Sequence, residues 1–273
     1  MVVGGLPLLV SGRLPELAPF EATRPVAEPV VRPLLRTPGS VEVDGELGGV
    51  PCRLLCAFDG AHWRLEVAGV ASMVIAPRGS QLVVREERSA ADALLLQAIL
   101  GPALSLLLAA HGVLCLHASA VERDGRVALF VGESGAGKST LARELAAIGW
   151  RRVCDDILPV ALTRGGPVAR PWFPQLRLDA SDQYRGAGEL SVARVFELAC
   201  GEEVGHEQQT PRHGALTLVR HTVASRLFVP DLLSWQLGWA ARFAQSAPSS
   251  TLRYPRRLDV VPTIGRLLDD VLS

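Results

Sequence analysis

VALFVGESGAGKSTLAREL, residues 127–145, is the stretch from which the rest of this chain can be read. Val127, Ala128, Leu129, Phe130 and Val131 form a short apolar run that reads as a buried strand. The spacing G-x-x-x-x-G-K-[ST] follows, with Gly132, Gly137, Lys138 and Ser139 in register. A Leu- and Ala-rich run comes next and stops at Gly149, so residues 139–148 are expected to be helical. A strand, a glycine loop and a helix in this order are the setting in which such a loop cradles phosphate. Glycines at 132, 135 and 137 let successive amides converge on phosphate oxygens with no Cβ in the way. The positive end of the helix dipole points to the same place.

The roles within the loop follow from reach. Lys138 extends to the β- and γ-phosphates and the Ser139 hydroxyl ligates Mg²⁺, while Thr140 is a helix or nucleotide contact. Glu133, Ser134 and Ala136 complete the loop around Gly132, Gly135 and Gly137. ATP with Mg²⁺ is the expected ligand pair.

The loop alone does not fix the reaction. The chain has no LSGGQ-like segment of a transporter ATPase, no N-K-x-D segment of a GTPase, and no long apolar strand ending in Asp far downstream. Two adjacent carboxylates, Asp155 and Asp156, come early instead, at the end of a strand over residues 152–154. Neighbouring strand side chains point to opposite faces. One carboxylate can then take a proton from an incoming hydroxyl while the other holds Mg²⁺ or orients a neighbour. His117, on the apolar run 113–121, is expected to be carried beside the loop by the hairpin that turns at 123–125.

Around this centre the chain reads as α/β with a β-rich N-terminal part. Residues 1–40 are Pro-rich and irregular; from 40 to 88, short β-prone runs alternate with Asp44-Gly45, Asp59-Gly60 and Arg78-Gly79 turns, as in an antiparallel meander. A boundary near 88/89 divides this part, residues 1–88, from the domain 89–273. The apolar stretch 90–113 is broken by Asp92, Gln97, Pro102 and Ser105, which suits a core helix capped at Ser89 and stopped at Gly112 better than a membrane span. Beyond Val160 the pattern is irregular until helices over 229–246 and 263–273.

Composition sets further bounds. Lys plus Arg and Asp plus Glu are 28 each, so no global charge draws the chain to nucleic acid or an anionic membrane, and Arg253, Arg256 and Arg257 make only a local cluster. The five cysteines have neither disulfide nor zinc spacing, which points to free thiols in the cytoplasm. The first residues carry no charged segment ahead of the apolar ones, so no signal peptide is expected.

LHASAV, GESGAGKST and VCDDILPV together resemble the catalytic domain of the HPr kinase/phosphorylase family, over about residues 113–160. The resemblance implies a phosphoenolpyruvate-carboxykinase-like fold and a phosphoryl transfer to serine. By position it gives Asp155 the role of general base, makes Asp156 a support for metal or histidine, and makes His117 its partner. Tyr184-Arg185-Gly186-Ala187-Gly188 faintly echoes a further family segment and offers Arg185 as a substrate contact. The part before residue 90 does not resemble that of bifunctional HPr kinases. In size, and in Leu218-Val219-Arg220-His221 and Tyr254-Pro255-Arg256, the chain resembles the kinases that phosphorylate the C-terminal serine of lasso-peptide precursors. That likeness makes Arg220 and His221 contacts for phosphate or peptide carboxylate. The expected partner is a peptide or small protein, and a homo-oligomer is compatible with the family. A small-metabolite kinase and a non-catalytic, nucleotide-dependent peptide-binding module are the alternatives.

Overall fold

The computed structural model describes residues 2–4, 6–7, 9–10, 30–76, 81–86, 92–175, 178, 184, 186 and 188–272. The Ser89 cap, the Arg78-Gly79 turn, Arg185 and most of the irregular stretch expected before residue 30 lie outside them.

Short strands β1 (Val2–Val3) and β2 (Leu6–Pro7) pair with each other. Strand β3 (Leu9–Val10) joins a sheet made by β4 (Gly39–Leu47), β5 (Val50–Phe58), β6 (Trp63–Val67), β7 (Ala71–Ala76) and β8 (Gln81–Glu86). Its order is β3-β8-β7-β6-β5-β4, antiparallel apart from the β3–β8 pair. On β6, Trp63, Leu65 and Val67 are buried and Arg64 and Glu66 are exposed, the period-two pattern of a sheet wet on one face. The expected Asp44-Gly45 turn lies mid-strand, paired with Arg53 and Cys52. The chain reverses at Gly48-Gly49 instead, where φ is +59° and +82°. A two-residue turn with both φ positive matches the twist of the flanking strands, and Gly-Gly adopts it without steric cost.

The expected core helix is a continuous path of three pieces: α1 (Asp92–Ala98), a π turn over Ile99–Ala103 and α2 (Leu104–Ala110). Pro102 sits inside the π turn. Proline lacks the donor of a normal turn and collides with the carbonyl four residues back, and a widened turn relieves both. The window Ala93–Ala110 is long and apolar enough to cross a bilayer, and 67 % of it is buried inside the protein.

The larger sheet contains β9 (Val113–His117), β10 (Ser119–Arg123), β11 (Arg126–Val131), β12 (Arg151–Cys154), β13 (Ile157–Thr163), β14 (Gly166–Ala169), β15 (Leu190–Cys200), β16 (Gly205–Gln208) and β17 (Ser249–Tyr254). Its path is β12-β10-β11-β15-β14-β13-β9, with β17 alongside β15 and β16 on β17. The run 113–121, expected as one strand, breaks at Ala118 into β9 and β10, which lie near opposite ends of that path. Only one residue separates them, so the sheet must curl until its ends meet. The region beyond Val160 is also more regular than expected, because β13 to β17 and helix α4 (Pro211–Arg220) fall within it. Helices α3 (Lys138–Ala147), α5 (Pro230–Ser246) and α6 (Val261–Leu272) match the remaining helical expectations.

Strand β11 shows why its sequence is apolar at every position. Val127, Leu129 and Val131 belong to one buried cluster, shared with Trp63 and Leu107, whereas Ala128 and Phe130 belong to a second, with Leu141, Leu145 and Ile264. A strand covered on both faces has no polar side to alternate with. All five cysteines are free, and burial pushes the Cys56 and Cys115 thiols up to about 12, so neither is a ready nucleophile.

Candidate active site

The loop after β11 turns straight into α3. Gly137 is the residue before the helix, with φ of +95°, and a Cβ there would lie 3.2 Å from the Tyr254 hydroxyl. Both strain and crowding therefore demand glycine at that point. The Lys138 Nζ donates to the Gly132 carbonyl at 2.7 Å and the Glu133 carbonyl at 3.2 Å, which folds the side chain back over the loop. First-turn amides of a helix have no intrahelical acceptor, and the loop leads directly into the first turn of α3.

His117, Asp155 and Asp156 come together because two chain segments bend at the same place. β9 and β10 pair with β13 and β12 respectively, so Ala118 and the Asp155–Asp156 pair are the facing corners of one antiparallel ribbon. The Ala118 amide donates to the Asp156 carbonyl at 3.0 Å across the corner. His117 thus arrives by strand pairing across the corner rather than by the hairpin expected from its distance to the loop. Its Nδ1 lies 3.2 Å from Asp156 Oδ1.

The two carboxylates part company at the bend between β12 and β13. Asp155 is 8 % exposed, and the Ser119 hydroxyl donates to its Oδ1 at 3.4 Å. The Ser139 hydroxyl donates to the Asp155 carbonyl at 3.5 Å, which ties this corner to the start of α3. Asp156, paired with His117, opens instead onto a cleft of about 540 Å³.

Gln175 fixes the corner, and no motif marks it in the sequence. Its Oε1 accepts from the amides of Asp155 at 3.0 Å and Asp156 at 3.3 Å. Its Nε2 donates to the carbonyls of Ile157 at 2.7 Å and Phe173 at 3.2 Å.

Glu197 is the second residue that the sequence did not announce. It stands opposite Val131 in the parallel β11–β15 register, at the mouth of the loop. Arg220 donates to it at 2.9 Å, Gln209 at 2.7 Å and Thr217 at 3.2 Å. Burial pushes the Glu197 carboxyl up, but these hydrogen bonds and the Arg220 and His213 charges outweigh it and hold the carboxyl below the usual range. His221 is buried, and its Nε2 has no hydrogen-bond partner among the described residues. Burial lowers the His221 pKa, and the charges it feels include Glu197, Glu133 and Lys138, which locates it beside the loop. Its carbonyl accepts from the His117 amide at 2.8 Å, so Arg220 and His221 flank both centres. On the other side of the loop, a cavity of about 180 Å³ is bounded by Thr140, Leu141, Tyr254, Arg256, Leu258 and Val261.

Among solved structures, the chain is similar to the HPr(Ser) kinase/phosphatase from Coxiella burnetii, at 13 % identity and a TM-score of 0.31, with 57 % of this chain and 94 % of that one covered. No protein-family model matches the chain, and no curated protein does.

Proposed function

We propose that this protein is an ATP-dependent serine kinase, in which residues 89–273 form an HPr-kinase-like phosphotransferase domain that phosphorylates a peptide or small protein. One observation carries the reading: a Gly-rich loop on a helix N-terminus meets, through Ser139 and the Asp155 carbonyl, a corner that presents two separated carboxylates and a histidine. In it the loop amides and Lys138 hold the β- and γ-phosphates. The cavity beside Tyr254 and Leu258 takes the nucleoside, with apolar walls for the base and Arg256 at the edge.

Mg²⁺, when bound, neutralises charge on the transferring phosphoryl group. Such an ion beside a triphosphate needs only one or two protein ligands, and Ser139 and Asp155 suit it. Asp156 then serves the acceptor: it takes the proton of the attacking hydroxyl, while His117 orients its carboxylate. This reverses the division between the two aspartates implied by the motif resemblance, and its support is that Asp156 opens on the large cleft while Asp155 turns toward Ser119. Arg220, tied to Glu197, and the unpartnered Nε2 of His221 are candidates for the transferred phosphoryl. A lasso-peptide precursor is one such substrate.

Calorimetric titration with a non-hydrolysable ATP analogue, with and without Mg²⁺, tests the first step. Binding that strengthens with Mg²⁺ and weakens by about 10- to 150-fold in Lys138→Ala is expected. A folded protein that binds no nucleotide under either condition sinks the proposal.

A further inference from the structure

The cleft at Asp156 is built by both parts of the fold. Its floor is Leu100, Ile157 and Phe173, and its far wall is the hairpin turn Leu47-Gly48-Gly49 of the N-terminal sheet. That turn is seated on α1, for a Cβ at Gly48 would lie 2.7 Å from the Gln97 amide. Gly101, in the π turn, lines the remaining side, and π turns recur at functional sites. Among the described lining residues the charged side chains are Glu46 and Asp156, both acidic.

The approach to the cleft has the same sign. Strand β4 is the edge of its sheet, pairing with β5 and with no other strand among the described residues. Its outward positions are Ser40 and then Glu42, Asp44 and Glu46, three carboxylates stepping toward Asp156 about 7 Å apart. Arg53 contacts Glu42 at 3.3 Å and Asp44 at 3.7 Å, one cation against three acids.

We propose that this cleft is the acceptor site, and that it takes an extended peptide whose serine or threonine is flanked by basic residues. The proposal rests on the phosphotransfer reading above. An extended chain can add to an exposed strand edge through its main chain, and alternate side chains then meet those of the edge strand. Lysine or arginine at those positions would face Glu42, Asp44 and Glu46, and the hydroxyl would reach Asp156. In the transfer, a bond forms between the acceptor oxygen and the γ-phosphorus as the bond to the β–γ bridging oxygen breaks. ADP leaves, and the hydroxyl proton passes to Asp156 and on to solvent.

The test is intact-mass detection of phosphate on three sets of capped synthetic peptides with a central serine and basic, neutral or acidic flanks, run beside glycerol and glucose. Two variants act at the cleft alone. Glu46→Lys changes an exposed residue, and Gly101→Phe fills the cleft from a position where a new Cβ meets nothing within 4 Å. The wild type should prefer basic flanks, and Glu46→Lys should lower kcat/KM for them by about tenfold. Gly101→Phe should lower transfer to every peptide while ATP-analogue affinity stays within about twofold. Transfer indifferent to flank charge and to both variants overturns the cleft assignment and leaves the kinase standing. Transfer to glycerol or glucose with peptides untouched overturns the peptide assignment, as does ATP hydrolysis with no transfer to any of them. A wild type that neither binds nor hydrolyses ATP overturns the phosphotransfer reading itself.

Discussion

Replacing Gln175 by leucine should unsettle the Asp155–Asp156 corner without touching a charged group. Gln175 is 3 % exposed and makes four hydrogen bonds, to the amides of Asp155 and Asp156 and the carbonyls of Ile157 and Phe173. Leucine has a similar volume, so little cavity forms, and the cost is that of orphaned backbone groups. Each buried orphan costs roughly 1–3 kcal/mol. The carbonyls keep a second lone pair, and Asp156 sits at an open cleft where water can replace the lost acceptor. The net loss is therefore about 2–4 kcal/mol rather than the sum of four such terms. For a chain of this size that corresponds to a fall in Tm of about 5–15 °C. The carboxylates also lose their anchor, and a shift of about 1 Å in a catalytic group can cost on the order of 100-fold in rate. Scanning calorimetry and steady-state phosphotransfer on Gln175→Leu measure both effects, and nucleotide affinity should stay near wild type. A Tm within about 2 °C of wild type together with unchanged turnover would refute the claim that Gln175 holds the corner.

Lys138→Ala should weaken ATP binding by about 10- to 150-fold, the loss of one charge-assisted contact, as read by calorimetric titration. Asp156→Asn should keep nucleotide affinity while phosphotransfer falls by about 10²- to 10⁴-fold, whereas Asp155→Asn should chiefly blunt the Mg²⁺ dependence of binding. The opposite pattern would return the base role to Asp155. Stability should fall on acidification. The His221 pKa is lowered in the fold, so the unfolded chain takes up that proton first; its share of stability is full above the ordinary value of 6.5 and is lost as pH falls through the folded value. Glu197 adds a loss of the same sign below its ordinary 4.5. Urea midpoints measured from about pH 7.5 to 5.5 should decline, and less steeply in His221→Asn; equal slopes would count against the burial of a neutral His221.

The parts of this fold that the sequence made legible are those where local signals agree. Residues 127–147 combine an apolar strand, a glycine loop and a helix former run, and each pushes the chain the same way. The parts that escaped depend on distant partners. Nothing between Val113 and Val121 marks a break, because the bend at Ala118 is imposed by pairing with β12 on one side and β13 on the other. Asp44-Gly45 and Gly48-Gly49 are both turn sequences, and the choice follows from the register that pairs Leu47 with Val50 and leaves Glu42, Asp44 and Glu46 facing out. Strand β15 alternates buried and exposed residues only over Leu190–Val192, and farther on Val195 and Phe196 are both buried, because its neighbours change along its length. At the site, the loop, Asp155, Asp156 and His117 were readable as a group, whereas Gln175 and Glu197 act through backbone amides and side chains far along the chain. A glutamine outside any motif carries no trace of such partners.

Intact-mass spectrometry reads out directly whether a phosphoryl group reaches a peptide. The protein is incubated with ATP, Mg²⁺ and the small peptides encoded beside its gene, with Lys138→Ala and Asp156→Asn as controls. One added phosphate on a peptide serine or threonine, lost in both variants, is expected. Bound ATP with every peptide mass unchanged, or a phosphate that survives in both variants, would contradict it.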